Sequence, residues 1–533
     1  MTIREESNEH DCMNSFLKLL CLPLTLLLAV QNVNHAASKP NFIVIMADDI
    51  GYGDLSCYGA TRVKTPNLDK LAAEGIKFTS GYCSASTCTP TRYSFLTGDY
   101  AFRRPGTGIA PPAAPALIQP ERHTIAKQMK KAGYKTAVIG KWHLGLGEPG
   151  VGPKWNEELR PGPMEIGFDY HFLLPTTNDR VPQVYVEQSR VLNLDPKDPI
   201  QLHKKLPSPD HPNGKDHRDT LKMDWTHGHN STIHNGISRI GFYTGGHKAR
   251  FRDEDLADAW VEKSLDWIKK NKDNPFFLFF ASHDNHVPRM PHERFHGKSK
   301  LGFRGDAIVQ LDWCVGELMK GVDKMGLGEN TMIIFCSDNG PVMDDGYADG
   351  ALEKLGNHRA AGPYSGGKYS IYEGGTRTPF ITRWTGKIAP GQVSDKMVCT
   401  IDFATSFSNY VGAEIPKNGL LDSEDVMDAL LGKSCAKGRE TLVQQNNSGL
   451  GKNGSMNLSY RKGDWKLLRH DSGRTNNLIV ERKLQRTEVP KMQLIYLPDD
   501  PAEKSNLADK HPEKLKELNA ELEALIKAGR TRG

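Results

Sequence analysis

A run of eight residues, FIVIMADD (Phe42–Asp49), stays apolar without alternation until it stops at two carboxylates. A strand with one wet face alternates polar and apolar residues, so this run reads as a strand covered on both faces, which needs helices above and below it. The same texture returns at Lys135–Ile139, in PFFLFFAS and in TMIIFCSDNG, and PFITRW adds a further strand. Helical periods fall between them: NLDKLAAEGIKF (Asn67–Phe78), with Leu68, Leu71, Ala72 and Ile76 on one face; HTIAKQMKKAG, stopped at Gly133; a helix around Asp255–Lys270; and one within Asp306–Met325. This alternation predicts an α/β fold with a large mixed, mostly parallel sheet sandwiched by helices. Two stretches break the rhythm. Residues 175–248 are rich in Pro, Gly, His and Asp and read as long functional loops. Beyond about Val411, LSYRKGDWKLLRH and MQLIYLPDDP read as antiparallel strands and HPEKLKELNAELEALIKAG as an amphipathic last helix. The predicted organisation is a main domain over 38–410 and a smaller C-terminal α+β domain with a short antiparallel sheet over 411–533.

The N-terminus has the layout of a secretory signal over residues 1–37. Phe16–Val30 is a short apolar core with Lys18 near its start, Pro23 inside it and the small residues Ala36 and Ala37 behind it. The core is too short, and too broken by proline, for a stable membrane span. Export is therefore predicted, to the periplasm or exterior of a bacterium or to a lysosome or the exterior of a eukaryotic cell. Lys plus Arg is 69 against 64 Asp plus Glu, a balance of +5, and the basic residues are scattered, which excludes a nucleic-acid binder and suits an anionic substrate. Of nine cysteines, seven follow the leader: Cys57, Cys83, Cys88, Cys314, Cys336, Cys399 and Cys435. The number is odd and no C-x-x-C pair exists, so a zinc knuckle is not indicated and one thiol is left over.

In a parallel sheet, sites form where loops leave the carboxyl ends of strands. Asp48 and Asp49 close the first strand; Lys141 and His143 follow the strand ending at Ile139; His283 and His286 follow PFFLFFAS; Asp338 and Asn339 close TMIIFC; and GGKYSIYEGGTRTP sets Lys368 in a Gly-rich turn. Three aspartates and an asparagine form an all-oxygen donor set that selects Ca²⁺, or less well Mg²⁺, over zinc. Either pair taken alone reads first as a turn or a helix cap; their common position at strand ends favours a metal site. A divalent cation among Arg, Lys and His suits a tetrahedral oxyanion ester, with a histidine protonating the departing oxygen. The nucleophile is the missing part, and Cys88, in CTPTRYSFLTG, has no His and Asn partners nearby in sequence.

The ordered set C-x-P-x-R followed by LTG, with DDIGYGDLSCYG upstream and GKWHLG, SHDNHVP, SDNG and GGKYSIYEGGTRTP downstream, resembles the type I sulfatases, the formylglycine-dependent arylsulfatase family of the alkaline phosphatase-like superfamily. The match runs from about Asn41 to LIYLPDDPAEKSNLA. The resemblance implies that a formylglycine-generating enzyme oxidises Cys88 to Cα-formylglycine, with Pro90 and Arg92 in its recognition signal, and that the hydrated aldehyde is the nucleophile. It further implies that Asp48, Asp49, Asp338, Asn339 and the modified residue hold Ca²⁺ and that Arg92 steadies the modified side chain. Lys141 and His143 would support the hydrate and expel sulfate from its ester, His286 would protonate the leaving alcohol, and Lys368 would bind sulfate. The implied substrates are sulfated carbohydrates, with aryl sulfates as artificial ones. Thr91 and Asp99 depart from the commonest pattern and bear on the efficiency of maturation. Two other readings remain: a phosphodiesterase or phosphonate hydrolase of the same superfamily, and an inactive sulfated-glycan-binding protein, which would not need Cys88, Arg92, Lys141, His143, His286 and Lys368 together. Asp179, Arg180, His283 and Arg289 are candidate substrate contacts, with surface structure as the first reading of each.

Overall fold

The computed structural model describes residues 39–446, 456–476 and 486–532; the signal segment expected over 1–37 lies outside the described residues. Five parallel strands make the centre of a ten-stranded sheet, in the order Thr331–Ser337, Asn41–Ala47, Phe276–Ala281, Lys135–Lys141 and Tyr170–Leu174. The apolar runs read from sequence are therefore its buried middle. On one side the sheet is extended by Phe380–Arg383, which is antiparallel, then Ile76–Phe78 and Gln392–Ser394. On the other side two short antiparallel strands, Val186–Glu187 and Arg190–Val191, close the edge.

Strand residues point alternately up and down, so one continuous apolar run serves two cores. Phe42, Val44 and Met46 join Val138, Phe277, Phe279 and Ile334 on one face, beneath helices at Cys88–Thr97, Ile125–Lys131 and Phe403–Tyr410. Ile43, Ile45 and Ala47 join Ile139, Leu278, Phe280 and Phe335 on the other, beneath helices at Pro66–Ala73, Leu256–Asn271 and Gly302–Lys324. Each buried Ile or Phe contributes roughly 1.5–3 kcal/mol, which is why no polar residue interrupts these strands.

Two expectations need correction. The helix read over Asn67–Phe78 ends at Ala73, and Ile76–Phe78 is an edge-region strand; Gly75 breaks the helix and the remaining apolar residues are taken by the sheet. The stretch 175–248 is mostly loop, yet it carries short two-stranded ladders, among them Gln201–His203 with Phe242–Thr244. Downstream, Thr441–Gln445, Asn457–Lys462, Trp465–His470 and Met492–Tyr496 form a four-stranded antiparallel sheet, and the last helix spans Pro512–Ala528. This sheet holds the segment that leads into Cys88: Ser86 N–H donates to the Gln445 carbonyl (2.8 Å), and the Ser84 carbonyl accepts from Gln445 N–H (3.1 Å).

Because the central strands are parallel, their carboxyl ends share one edge. Register sets Ala47 opposite Ser337 and Ala281 opposite Gly140, so Asp48, Asp338, Ser282 and Lys141 emerge side by side. Gly140 is obligatory in that arrangement: its φ is +112°, and a Cβ there would lie 1.9 Å from the Ala281 carbonyl oxygen.

Candidate active site

Cys88 is the first residue of a ten-residue helix, Cys88–Thr97. Thr87 before it is extended, Pro90 sits in the first turn where its missing N–H costs nothing, and Gly98 ends the helix at φ +66° with its N–H on the Ser94 carbonyl (2.8 Å). Pro90 and Gly98 stand in CTPTRYSFLTG and Thr87 just before it, but the helix has no polar face to give it a period, since all ten residues are buried. The consequence is electrostatic: the free N–H groups and positive dipole end of the helix favour negative charge at residue 88.

Around it lies a cavity of about 40 Å³ lined by Cys88, His143, Asp179, His286, Lys368 and Tyr369, with Arg180, His229 and Asp345 in the same wall. At ~10–15 Å³ per water, it has room for about three waters, close to the bulk of one sulfate group. Cys88 Sγ is 3.2 Å from His143 Nδ1, and His143 Nε2 is 3.0 Å from the Ala110 carbonyl. A carbonyl can only accept, so the proton sits on Nε2 and Nδ1 faces residue 88 as an acceptor. Burial, followed by the charges of Lys141 and Arg180, pushes His143 well below the ordinary histidine range and keeps it neutral. His286 Nδ1 donates to the Val287 carbonyl (2.7 Å), which leaves Nε2 free; burial and then Lys368 push this imidazole well down too. Burial opposes charge on Lys368, but Asp345 and Asp49 overcome it and hold the ammonium well above its usual range, at 2.8 and 2.9 Å. The Cys88 thiol is pushed up by burial, so as a thiol it is not ionised and is a poor nucleophile. Asp49, His143 and Tyr369 all hold positive φ (57°, 53° and 74°), so backbone strain gathers around this one cavity.

Beneath the cavity lie the remaining charged residues. Arg92 donates Nε–H to Asp338 Oδ2 (2.9 Å) and Nη1–H to the Lys141 carbonyl (2.9 Å), and its Nη2 is 3.8 Å from Asp48. Lys141 Nζ is hydrogen-bonded to Asp48 Oδ2. Asn339 Nδ2 donates to Asp49 Oδ1 (2.7 Å). Two buried oxygens in this group have no partner, Asp48 Oδ1 and Asn339 Oδ1. Burial raises both Asp48 and Asp49, and the neighbouring carboxylates raise them further, as crowded anions require. Unpartnered hard oxygens among crowded carboxylates fit a cation such as Ca²⁺. Ligand atoms of Asp48, Asp49 and His286 all lie within 4.8 Å of one another, while Asp338 is engaged mainly with Arg92.

Of the sequence-predicted residues, Cys88, His143, His286 and Lys368 line the cavity, and Arg92, Lys141, Asp48, Asp49, Asp338 and Asn339 form its support. The surface reading of four further residues is overturned. Asp179 is buried and lines the cavity with Arg180, and its second carboxylate oxygen is 3.0 Å from His229 Nε2. His283 is buried away from the cavity, accepting from Trp260 Nε1 (3.0 Å). Arg289 is buried on Asp349 (2.5 Å) and the carbonyls of Val342 and Met343, where it anchors the loop that carries Asp345. Asp345, His229 and Tyr369 were missed; they reach the cavity from loops without periodicity, and PVMDDG and THGHN carry no signal of their own. The seven cysteines from Cys57 to Cys435 are all unpaired.

Comparison with known proteins agrees with this site. A family model described as sulfatase matches residues 40–413, and one described as N-sulphoglucosamine sulphohydrolase, C-terminal, matches residues 366–531. An N-acetylgalactosamine-6-O-sulfatase of Bacteroides thetaiotaomicron is 45% identical over 497 residues, 93% of this chain and 95% of that protein. Human arylsulfatase A is 32% identical over 414 residues, 77% of this chain and 71% of that protein. A solved structure from work on glycosaminoglycan metabolism by Bacteroides thetaiotaomicron superposes with a TM-score of 0.86 at 44% identity, covering 92% of this chain and 100% of that one. The sulfatase model spans well over half of the chain and takes in every side chain converging on residue 88, and this chain belongs to the type I sulfatases, a family of sulfuric ester hydrolases.

Proposed function

We propose that this sulfatase releases sulfate from sulfated sugars of the N-acetylgalactosamine 6-sulfate type, with Cys88 converted to formylglycine and Ca²⁺ held by Asp48, Asp49, Asp338, Asn339 and the modified residue. The observation that carries the reading is the convergence of Cys88, His143, His286 and Lys368 on a cavity the size of one sulfate group. The 45% identity to an N-acetylgalactosamine-6-O-sulfatase supports the sugar. We also take the expected signal segment to direct export; among the described residues no helix is long and apolar enough to cross a membrane.

Formylglycine at residue 88 would supply an oxygen nucleophile in place of an un-ionised thiol, and a bound cation would supply positive charge to this end of the sheet. Everything else falls to the chain. Lys368 and the N-terminus of the Cys88–Thr97 helix hold the oxygens of the sulfate group. His286, whose Nε2 is left free at the cavity, is placed to pass a proton to the leaving oxygen, and the negative charge of an arriving sulfate ester favours the protonated imidazole that burial and then Lys368 disfavour in its absence. His143, held in the required tautomer by the Ala110 carbonyl, is placed to accept on Nδ1 the remaining hydroxyl proton of a modified residue 88, which would let the bond from that residue's carbon to the sulfate oxygen break and sulfate leave. Arg92 fixes Asp338 and the Lys141 backbone, so the floor of the cavity does not shift as charge moves above it.

The test is a panel of N-acetylgalactosamine 6-sulfate, other sulfated monosaccharides, an aryl sulfate and an aryl phosphodiester, assayed on protein made with the maturation enzyme. Sulfate release from the 6-sulfate is expected, with Cys88→Ala slower by about 10³-fold or more. Unchanged turnover in Cys88→Ala, or a preference for the phosphodiester, would overturn the reading.

A further inference from the structure

The loop that carries Lys368 is closed on itself. Gly374 N–H donates to the Ser365 carbonyl (2.7 Å), which joins the two feet of the loop 365–374. Between those feet Lys368 N–H donates to the Pro341 carbonyl (2.9 Å) and Tyr369 N–H to the Ser86 carbonyl (2.8 Å); just beyond them the Gly375 carbonyl accepts from Gly340 N–H (2.9 Å). The loop therefore lies between the turn that follows Asp338 and Asn339 and the segment that leads into Cys88. Its place decides where the Lys368 ammonium stands in the cavity.

Both feet are held by one stretch of the C-terminal chain. LIYLPDDPAEKSNLA supplies no residue to the cavity lining, yet its Ala502 carbonyl accepts from Ser365 Oγ, and its Glu503 Oε2 accepts from Glu373 N–H (2.5 Å). Lys466, on the strand Trp465–His470, joins the two glutamates: its Nζ is 2.9 Å from Glu373 Oε1 and 2.9 Å from Glu503 Oε1, and all three side chains are fully buried. The second Glu373 oxygen accepts from Tyr82 O–H (2.5 Å) and Arg377 Nη1–H (3.1 Å). Burial would raise the Glu373 carboxyl, but Lys466, Arg377 and Arg461 outweigh it and hold it well below the ordinary range, so it stays a charged anchor. A buried ion pair is often no more stabilising than apolar side chains of the same volume, so this network is poorly explained as a fastener between two sheets. Directional bonds at both feet instead fix where the loop stands.

We propose that Glu503 is a positioning residue of the sulfatase reaction: backed by Lys466, it clamps Glu373 and so holds the Lys368 loop where its ammonium meets the sulfate group. The inference rests on the reading of Lys368 as a sulfate-binding group, and it gives the C-terminal sheet a part in sulfate binding. The test measures kcat, KM and inhibition by inorganic sulfate on matured enzyme with an aryl sulfate. Glu503→Ala should lower kcat/KM and weaken sulfate inhibition by about ten-fold or more. Glu503→Gln keeps a carbonyl oxygen for Glu373 N–H and should restore both to within about three-fold of wild type. Ser365→Ala removes the bond at the other foot, at a half-buried position and with the ions untouched, and should weaken both by about two- to five-fold even where Glu503→Ala folds poorly. In a Lys368→Ala background Ser365→Ala should cost nothing further, because the group it places is gone. Full further loss in that background, no rescue by Glu503→Gln, or unchanged sulfate inhibition in folded Glu503→Ala or Ser365→Ala would overturn the clamp. Lys368→Ala with unchanged sulfate inhibition would instead overturn the sulfate-binding reading of Lys368, and the clamp with it.

Discussion

Asp54, six residues beyond the first carboxylate in DDIGYGDLSCYG, makes the sharpest physical prediction. It is fully buried and grips Arg304 through both carboxylate oxygens (2.7 and 2.6 Å), accepts from His358 Nε2 (2.8 Å) and accepts from Gly51 N–H (2.8 Å). Burial alone would raise this carboxyl, but Arg304 and His358 outweigh it and hold it below the ordinary carboxylate range. Asp54→Asn leaves the Arg304 guanidinium buried without a counter-charge, which costs about 3–5 kcal/mol. At roughly 2.1 cal/mol/K per residue the unfolding entropy is near 1 kcal/mol/K, so Tm should fall by about 3–5 °C. A depressed carboxyl stabilises the fold above the usual carboxylate pKa and loses that effect as pH falls through its folded value. The difference between variant and wild type should therefore be constant from about pH 6 to 8 and shrink below about pH 4. Adding Arg304→Met removes the stranded cation, so the double variant should be more stable than the sum of the two single losses. Because Asp54 closes the turn that follows Asp48 and Asp49, kcat should fall more than KM changes. Thermal unfolding by circular dichroism at three pH values, with steady-state kinetics, tests all of this. A loss under about 1 kcal/mol, or strict additivity in the double variant, would refute it.

Three further outcomes follow from the site. His286→Ala should cost about 10²–10⁴-fold in kcat/KM on a sugar sulfate and far less on an aryl sulfate, whose phenolate leaves without a proton; equal losses would remove His286 as the donor. Chelation should abolish turnover, and Ca²⁺ should restore it, with the far-UV spectrum unchanged, because Asp48, Asp49 and Asp338 keep Lys141, Lys368 and Arg92 as counter-charges; unfolding on chelation would contradict this. Cys88 is only 2% exposed at the start of a buried helix, so native protein made without the maturation enzyme should resist later conversion while an unfolded peptide accepts it, as read by mass spectrometry; equal conversion of both would show that residue 88 opens in the native state.

What the sequence revealed and what it hid divide along a physical line. The central strands were legible because burial on both faces leaves an unbroken apolar run, and parallel pairing then carries Asp48, Asp338, Lys141 and the SHDNHVP loop to one edge without further information. The helix at Cys88 was hidden for a related reason: burial on all sides erases the amphipathic period, and only Thr87, Pro90 and Gly98 mark its ends. Ile76–Phe78 was misread because a short strand one place in from the sheet edge continues the spacing of the helix before it, with only Glu74 and Gly75 between them. The cavity wall was least legible. Asp179, His229, Asp345 and Tyr369 come from four separate loops and are matched to one another by bonds such as His229 to Asp179 and Lys368 to Asp345. The groups proposed to act on sulfate mostly follow the central strands or open a helix packed on them and so leave ordered motifs, whereas Asp179, His229, Asp345 and Tyr369 hang on irregular loops. Activity could therefore be read from this sequence more readily than substrate choice.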